Sequence, residues 1–166
     1  MKKLLSAMDR ISVWIGKVSS VLVFVVASVV VYEVLMRYVF HLPTQWASES
    51  VGIGCSLMYV MGGAWVIYQN KHVKIDTLYE RVSPRTQAAM DVATYFFFVL
   101  YTGVMTWAST KYAWKSFLLR ETSGTPWDPP IYPVKFAMAF GFLLMLLQGT
   151  VKFIRDAYFL FTKRTL

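Results

Sequence analysis

An acidic residue inside the first apolar stretch is a candidate for ion chemistry. Glu33 lies toward the outer end of that stretch, and Arg37 follows four residues later on the same face of a helix. A lone carboxylate in a bilayer costs roughly 3 kcal/mol, so it either pairs with a cation or serves a transported ion. Two interpretations follow, a proton or cation site and a structural ion pair near the membrane surface, and the nearby arginine favours the ion pair.

A second acid begins the next apolar stretch. Glu49 follows Trp46 at the start of a predicted helix, where the positive end of the helix dipole stabilises a carboxylate. One interpretation is a favourable first-turn acid beside an interfacial tryptophan. The others are a polar contact with Arg37 across the short turn and a contact with a partner protein.

Small residues recur at helical spacing in the same stretch. Ser48, Gly52 and Ser56 are four residues apart, and Gly62 with Gly63 follows near the end of the stretch. In lipid, small residues let helix backbones approach closely, whereas large apolar side chains gain little by leaving the lipid tails. The row therefore predicts helix packing, against this chain or against a partner. The fourth stretch repeats the pattern with Ala137, Gly141 and Gly149.

The remaining reactive side chains predict no catalysis. His41 and His72 fall on opposite sides of the membrane in a four-helix topology, so they cannot jointly ligate haem or a metal, which argues against a redox-enzyme anchor. Cys55 is the single cysteine and is interpreted as a packing residue. Since no hydrolase, zinc-protease, P-loop or CxxC motif occurs, we expect no enzyme activity, no cofactor and no metal site.

Four long apolar stretches must position these residues. The chain is 57% apolar and 16% charged, and its apolar residues come in blocks of about twenty, enough for a helix to cross a hydrocarbon core of roughly 30 Å. Barrel strands are disfavoured because the blocks are continuously apolar. The sequence predicts an all-α integral membrane protein with one membrane domain. Its helices are expected at 18–39, 46–68, 84–118 (with extensions beyond the membrane) and 131–154.

Basic residues predict the orientation of these helices. Of the 17 lysines and arginines, twelve fall on the side that holds both termini and the middle loop: Lys2, Lys3, Arg10, Lys17, Lys71, Lys74, Arg81, Arg85, Lys152, Arg155, Lys163 and Arg164. Because basic residues resist translocation, both termini are expected to be cytoplasmic in a bacterial or archaeal inner membrane, with the Pro-rich loop outside. The clusters lie beside apolar blocks without a basic stripe, so no nucleic-acid partner is expected.

Two segments have the pattern of interfacial amphipathic helices. In residues 1–17, apolar positions recur at helical spacing opposite basic ones, which suits a helix on the membrane surface attracted to anionic lipids. Residues 74–82 show a shorter version of the same pattern. The alternative is that each segment is a cytoplasmic extension of the neighbouring membrane helix.

The order of several short segments resembles a known family. The segments are Arg37-Tyr38-Val39-Phe40 at the end of the first helix, Trp46 and Glu49 in the second, Gly62-Gly63-Ala64 near its end, then His72-Val73-Lys74-Ile75-Asp76, Thr125-Pro126 and Tyr132-Pro133 before the Gly141 helix. Together they resemble the small membrane subunit (DctQ type) of tripartite ATP-independent periplasmic (TRAP) transporters. One departure is Ser50, where a second acid is expected in many relatives.

The resemblance implies a scaffold in a larger machine. A periplasmic binding protein would capture a carboxylate-bearing solute, such as a dicarboxylate or sialic acid, and a large subunit would move it with sodium by an elevator motion. This chain would pack against the large subunit through Arg37, Trp46, Glu49 and the small residues of the second helix. Trp127 and Asp128 would meet the periplasmic protein.

A different class of function stays open at this stage. Four-helix exporters with one acid in the first helix exist, so the chain could be a self-sufficient proton-coupled transporter that uses Glu33. Arg37 beside that acid and the elaborate loops argue against it.

Overall fold

The computed structural model describes residues 2–69 and 82–162, which form four α-helices. They are α1 (Lys2–Tyr38), α2 (Gln45–Tyr68), α3 (Pro84–Leu118) and α4 (Tyr132–Thr162). Each contains a window that is long and apolar enough to cross a membrane. The described chain is therefore all-α, as the sequence predicts, while the side on which the termini lie stays a prediction.

Helix α1 continues without a break through the segment expected to be a separate interfacial helix. It has 37 residues and is about 55 Å long at about 1.5 Å per residue. Residues 2–17 thus extend the first membrane helix, which is the alternative interpretation, and their contact with a lipid surface stays a prediction. The expected helix at 74–82 and the histidine at position 72 lie outside the described residues, apart from Val82.

The starts of α2 and α3 follow from local sequence. Ser83 caps α3, since its hydroxyl accepts a hydrogen bond from the Thr86 amide at 3.3 Å, and Pro84 occupies the first turn, where its missing amide proton costs nothing. Helix α2 follows a tight turn in which His41 adopts a φ of 55°. Thr44 occupies the N-cap position of α2.

The helices pack in the order α1, α2, α4, α3, and α1 also touches α4. Glycines allow close approaches: a Cβ on Gly141 would lie 2.5 Å from Val60 Cγ1, and one on Gly149 would overlap the Phe98 ring. Because consecutive helices run in opposite directions, the bundle has two ends. The loop end holds residues 39–44 and 119–131, and the terminal end holds the start of α1 and the end of α4.

The bundle carries polar side chains inside and large apolar ones outside. Its largest fully buried side chains include Gln148, Thr102 and Ser12, whereas Phe24 and Trp107 are 75% and 66% exposed. A surface of exposed aromatic and aliphatic groups is unfavourable in water but suits lipid. The polarity of the fold therefore agrees with a membrane environment.

Candidate functional site

Glu33 is held by groups from two helices at the loop end. Arg37 donates to Glu33 Oε1 from Nη2 at 2.6 Å and from Nε at 3.1 Å. The Thr44 amide donates to Glu33 Oε2 at 3.1 Å, and the Thr44 hydroxyl donates to the same oxygen. The Thr44 side chain therefore bonds Glu33 of α1 and makes no capping hydrogen bond to α2. The carboxylate is 12% exposed and fastens the end of α1 to the start of α2.

Glu49 holds the long loop against α2. The Thr125 hydroxyl donates to Glu49 Oε1, and the Thr125 oxygen also accepts the Asp128 amide at 3.3 Å. The sequence analysis gave Arg37 as a possible partner of Glu49 within the chain. Among the described residues, Glu49 bonds Thr125 and not Arg37. Trp46, one turn earlier, contacts the Tyr32 ring of α1 with centroids 5.6 Å apart.

The loop itself is a compact, hydrogen-bonded structure. Asp128 Oδ1 accepts the Gly124 amide at 2.9 Å, and both residues adopt left-handed backbone conformations, with φ values of 50° and 71°. At its base, the Ile131 amide donates to the Glu121 carbonyl at 3.1 Å. This arrangement leaves Trp127 45% exposed at the tip of the loop. Its contact with a periplasmic partner, like that of Asp128, stays a prediction.

An ion pair closes the base of this loop. Lys135 Nζ lies 2.5 Å from Glu121 Oε2, and the Glu121 side chain is 40% exposed. The hydrogen bond from Lys135 lowers the pKa of the Glu121 carboxyl below its usual value. The pair links the segment after α3 to the first turn of α4.

One side of α2 is open. We call Ser48, Gly52, Tyr59 and Gly62 the open face of α2, because at 100° per residue they fall within a narrow arc. Apart from the adjoining residues and backbone of the same helix, no described atom lies within 4 Å of a Cβ built on Gly52 or Gly62, and Tyr59 is 72% exposed. The Ser56 hydroxyl lies beside this face and donates to the Gly52 carbonyl at 2.8 Å.

Gly63 lies beside the open face, between Gly52 and Ser56 in angle around the helix, but it borders α4. A Cβ on Gly63 would lie 2.6 Å from Met145 Sδ, so the described structure uses this glycine for contact between α2 and α4. The sequence row thus combines residues with two different neighbours. The spacing of small residues identifies a face of the helix. It does not show whether this chain or a partner packs against that face.

A polar cluster at the terminal end escaped the sequence analysis. Asp9 accepts bonds from Arg155 Nη2 at 2.5 Å and from Gln148 Nε2 at 2.9 Å, and Ser12 donates to Gln148 Oε1 at 2.9 Å. Nearby, Lys152 bonds Asp91 of α3 and, at 2.5 Å, Asp156 of its own helix. A signal existed in the row of Asp9, Ser12 and further polar or small residues along one face of α1. Their partners are more than a hundred positions away, so spacing could not identify them.

The described residues contain no group of three or more His, Cys, Asp or Glu that could hold a metal ion. His41 is exposed in the turn before α2, and Cys55 is partly buried in α2. Within residues 2–69 and 82–162, the polar groups link helices and loops to one another. These contacts fasten the four helices and the long loop to one another.

Comparison with known proteins points to one family. The family model described as tripartite ATP-independent periplasmic transporters, DctQ component, matches residues 26–158. None of the curated proteins compared with the chain matches it. The matched region includes the last third of α1, most of α4 and the whole of α2 and α3, and it confirms the resemblance noted from the sequence. The chain therefore belongs to the family of DctQ components of TRAP transporters.

Proposed function

We propose that this chain is the scaffold subunit of a sodium-coupled TRAP transporter. It packs against the fixed part of the large elevator subunit and assists binding-protein-dependent uptake of a carboxylate-bearing solute, such as a dicarboxylate or sialic acid. Its family membership supports a role as a transporter subunit. The solute, the sodium coupling and the contact surfaces belong to the proposal.

The proposed contact with the large subunit rests on the open face of α2. The Cβ positions of Gly52 and Gly62 are free of described atoms from the other helices, and Ser48 on the same face is exposed. A helix that meets only lipid gains nothing from such residues, whereas a helix that packs closely against another helix does. The other outward surfaces, for example that of α3 with Phe97 and Trp107, carry large side chains suited to lipid tails.

The loop end supplies rigid supports for such a scaffold. Glu33, which Arg37 of the same helix also bonds, fastens α1 to Thr44 at the start of α2, and Glu49 fastens the long loop to the first turns of α2. In the proposal, Arg37 and Trp46 border the contact with the large subunit. Trp127 and Asp128 face the periplasmic binding protein.

The geometry disfavours the self-sufficient exporter. A carboxylate that shuttles protons must exchange partners during each cycle, but Glu33 already accepts bonds from Arg37 and from both donors of Thr44. In liposomes containing this chain alone, we expect no proton-driven uptake and no effect of Glu33→Gln. Uptake by the lone chain that Glu33→Gln abolishes would establish the exporter and remove the scaffold proposal.

Leucine substitutions test the open face directly. We expect Gly52→Leu and Gly62→Leu to weaken co-purification of the large subunit on the order of tenfold, since each side chain would separate two closely packed backbones. Gly103→Leu is the matched control: Gly103 also lies within a helix, and its Cβ position has no described atom within 4 Å. The control should leave assembly and solute uptake close to those of the native chain.

Two outcomes would contradict this assignment. If Gly103→Leu reduces assembly as much as Gly52→Leu does, the effect reflects helix disturbance or a contact on α3. If both open-face variants assemble normally, the large subunit binds elsewhere. Each variant is checked as an isolated chain by its thermal unfolding, which should match that of the native chain.

A further inference from the structure

A groove at the terminal end has a composition that the scaffold function does not explain. It has a volume of about 270 Å³ and is lined by Asp9, Arg10, Val13, Trp14 and Lys17 of α1 and by Tyr68 at the end of α2. The α1 residues of the groove precede position 26, where the match to the family model begins. The open face of α2 is not part of this groove.

Two cations of the groove have no acidic partner among the described residues. Arg10 and Lys17 are exposed, and within residues 2–69 and 82–162 neither side chain makes an ion pair. The one acid of the lining, Asp9, is neutralised by Arg155 and also binds Gln148. The two cations are seven residues apart, about 10 Å along the helix, so both flexible side chains can reach one anionic group between them.

The groove stands at the level where the bundle changes from apolar to charged. Ser12 of α1 bonds Gln148, near the end of the apolar part of α4, and Asp9 bonds Arg155 beyond it. In a bilayer, phospholipid phosphates lie where the apolar part of a membrane protein gives way to charged residues. Trp14 and Tyr68 are 67% and 40% exposed, and both side chains are typical of the headgroup region because their rings are amphipathic.

The apolar part of the lining distinguishes a lipid from a free ion. Trp14 and Val13 lie between the two cations on α1, and Val18 and Val21 continue an exposed apolar surface toward the middle of the bilayer. The polar face of the same helix turns inward, with Ser12 fully buried. A ligand that fits both parts has an anionic head and a hydrocarbon tail.

We propose that this groove binds the phosphate headgroup of an anionic glycerophospholipid. Arg10 and Lys17 contact the phosphate, Trp14 and Tyr68 flank the glycerol region, and the acyl chains follow the surface of α1. Two cations that face no free carboxylate within residues 2–69 and 82–162 favour a lipid of net negative charge over a zwitterionic one. The bound lipid lies against both α1 and α2 and links them at the terminal end.

The test uses the purified full chain in detergent, with bound lipid measured by native mass spectrometry. Phosphatidylglycerol and phosphatidylcholine with identical acyl chains are the two probes. We expect the native chain to prefer phosphatidylglycerol, and Arg10→Gln/Lys17→Gln to weaken its binding by about fivefold per cation, hence about 25-fold together. Arg10→Lys/Lys17→Arg keeps both charges and should retain the preference.

The matched control removes two charges at the other end of the bundle. Lys111→Gln/Lys115→Gln changes the net charge equally and affects exposed residues of α3, so it should change phosphatidylglycerol binding by less than about twofold. An equal loss in this control, or equal binding of phosphatidylcholine by the native chain, would overturn the site. Displacement of the lipid by millimolar inorganic phosphate would also overturn it, since the groove would then recognise a free ion.

Discussion

Gln148 joins two helices through both ends of its amide. Its carbonyl oxygen accepts from Ser12 and its nitrogen donates to Asp9, while its side chain is almost fully buried. In a bilayer, water does not replace such bonds, so each polar group inside the bundle needs a protein partner. The same logic governs Glu33 at the loop end, whose two carboxylate oxygens are both occupied.

Removing the Gln148 amide should destabilise the bundle. Gln148→Leu keeps the volume but leaves the Ser12 hydroxyl and part of Asp9 without a partner, which should lower the free energy of unfolding by about 1–2 kcal/mol. Unfolding of the purified chain in mixed micelles measures this change. Thr106→Ala is the control, because that hydroxyl bonds only the Thr102 carbonyl of its own helix in the described structure. Equal effects of the two substitutions would refute an interhelical role for Gln148.

The Glu121 and Lys135 pair should make stability depend on pH in a defined direction. Because Lys135 lowers the pKa of Glu121 in the folded chain, the pair stabilises the fold above the unfolded value of 4.5 and loses this contribution as the pH falls through the lower folded value. Unfolding measured between neutral pH and about pH 3 should therefore show a smaller acid-induced loss in Glu121→Gln and in Lys135→Gln. If both variants lose as much stability at acidic pH as the native chain does, the assignment is contradicted.

At the scale of helices, the sequence predicts which segments are long and apolar enough to form membrane helices. It does not predict which ion pairs the charged residues near their ends make. Helix α3 occupies the predicted range 84–118, and α2 begins one residue before 46, because apolar blocks and the Ser83-Pro84 cap define them locally. Helix α4 continues to Thr162, beyond the predicted residue 154. Charged residues near position 154 are typical of the end of a membrane helix. In the structure, however, Arg155 pairs with Asp9 and Lys152 pairs with Asp91, and the helix continues past them.

Partner choice along a helix face was equally hidden. The small-residue row of α2 predicts close packing, yet Gly63 meets Met145 of the same chain, whereas Gly52 meets no described atom. Both glycines have the same local sequence chemistry. Only the position of α4 separates them, and that position depends on contacts between distant parts of the chain.

Close packing of α4 on α2 predicts a graded response to added methyl groups. Gly141→Ala places a Cβ 2.5 Å from Val60 Cγ1 and 3.0 Å from the Val60 carbonyl oxygen, so the backbone itself must move. We expect a loss of about 1–3 kcal/mol in unfolding free energy. Gly103→Ala, which meets no described atom within 4 Å, should cost nothing measurable. A destabilisation of similar size in both variants would show that the helix contact is not the cause.

At the scale of the whole molecule, the chain is a multi-pass membrane protein and a subunit of a transporter, not an enzyme. By family, its partners are the other TRAP subunits. In three of the four spans, 11% of the membrane window is buried inside the described bundle. Such thin internal packing leaves most of the apolar surface to lipid and to those partners, which agrees with a protein that functions within a complex.

The distribution of basic residues predicts the orientation of this molecule, and single cysteines can test it. In a Cys55→Ser background, Trp127→Cys should react with a membrane-impermeant maleimide in intact cells, because the long loop is expected outside. Ser6→Cys, near the exposed start of α1, should react only after the membrane is permeabilised. The reverse pattern would show that the termini face outward.

Helix α1 is fastened at two levels, to Thr44 through Glu33 and to Arg155 through Asp9. The two anchor points are about 36 Å apart along the helix, more than the roughly 30 Å thickness of a hydrocarbon core. A free helix answers a thinner or thicker bilayer by tilting, but a doubly anchored one cannot tilt alone. A change in bilayer thickness must therefore be met by the surrounding lipid or by a tilt of α1 together with the helices that hold it.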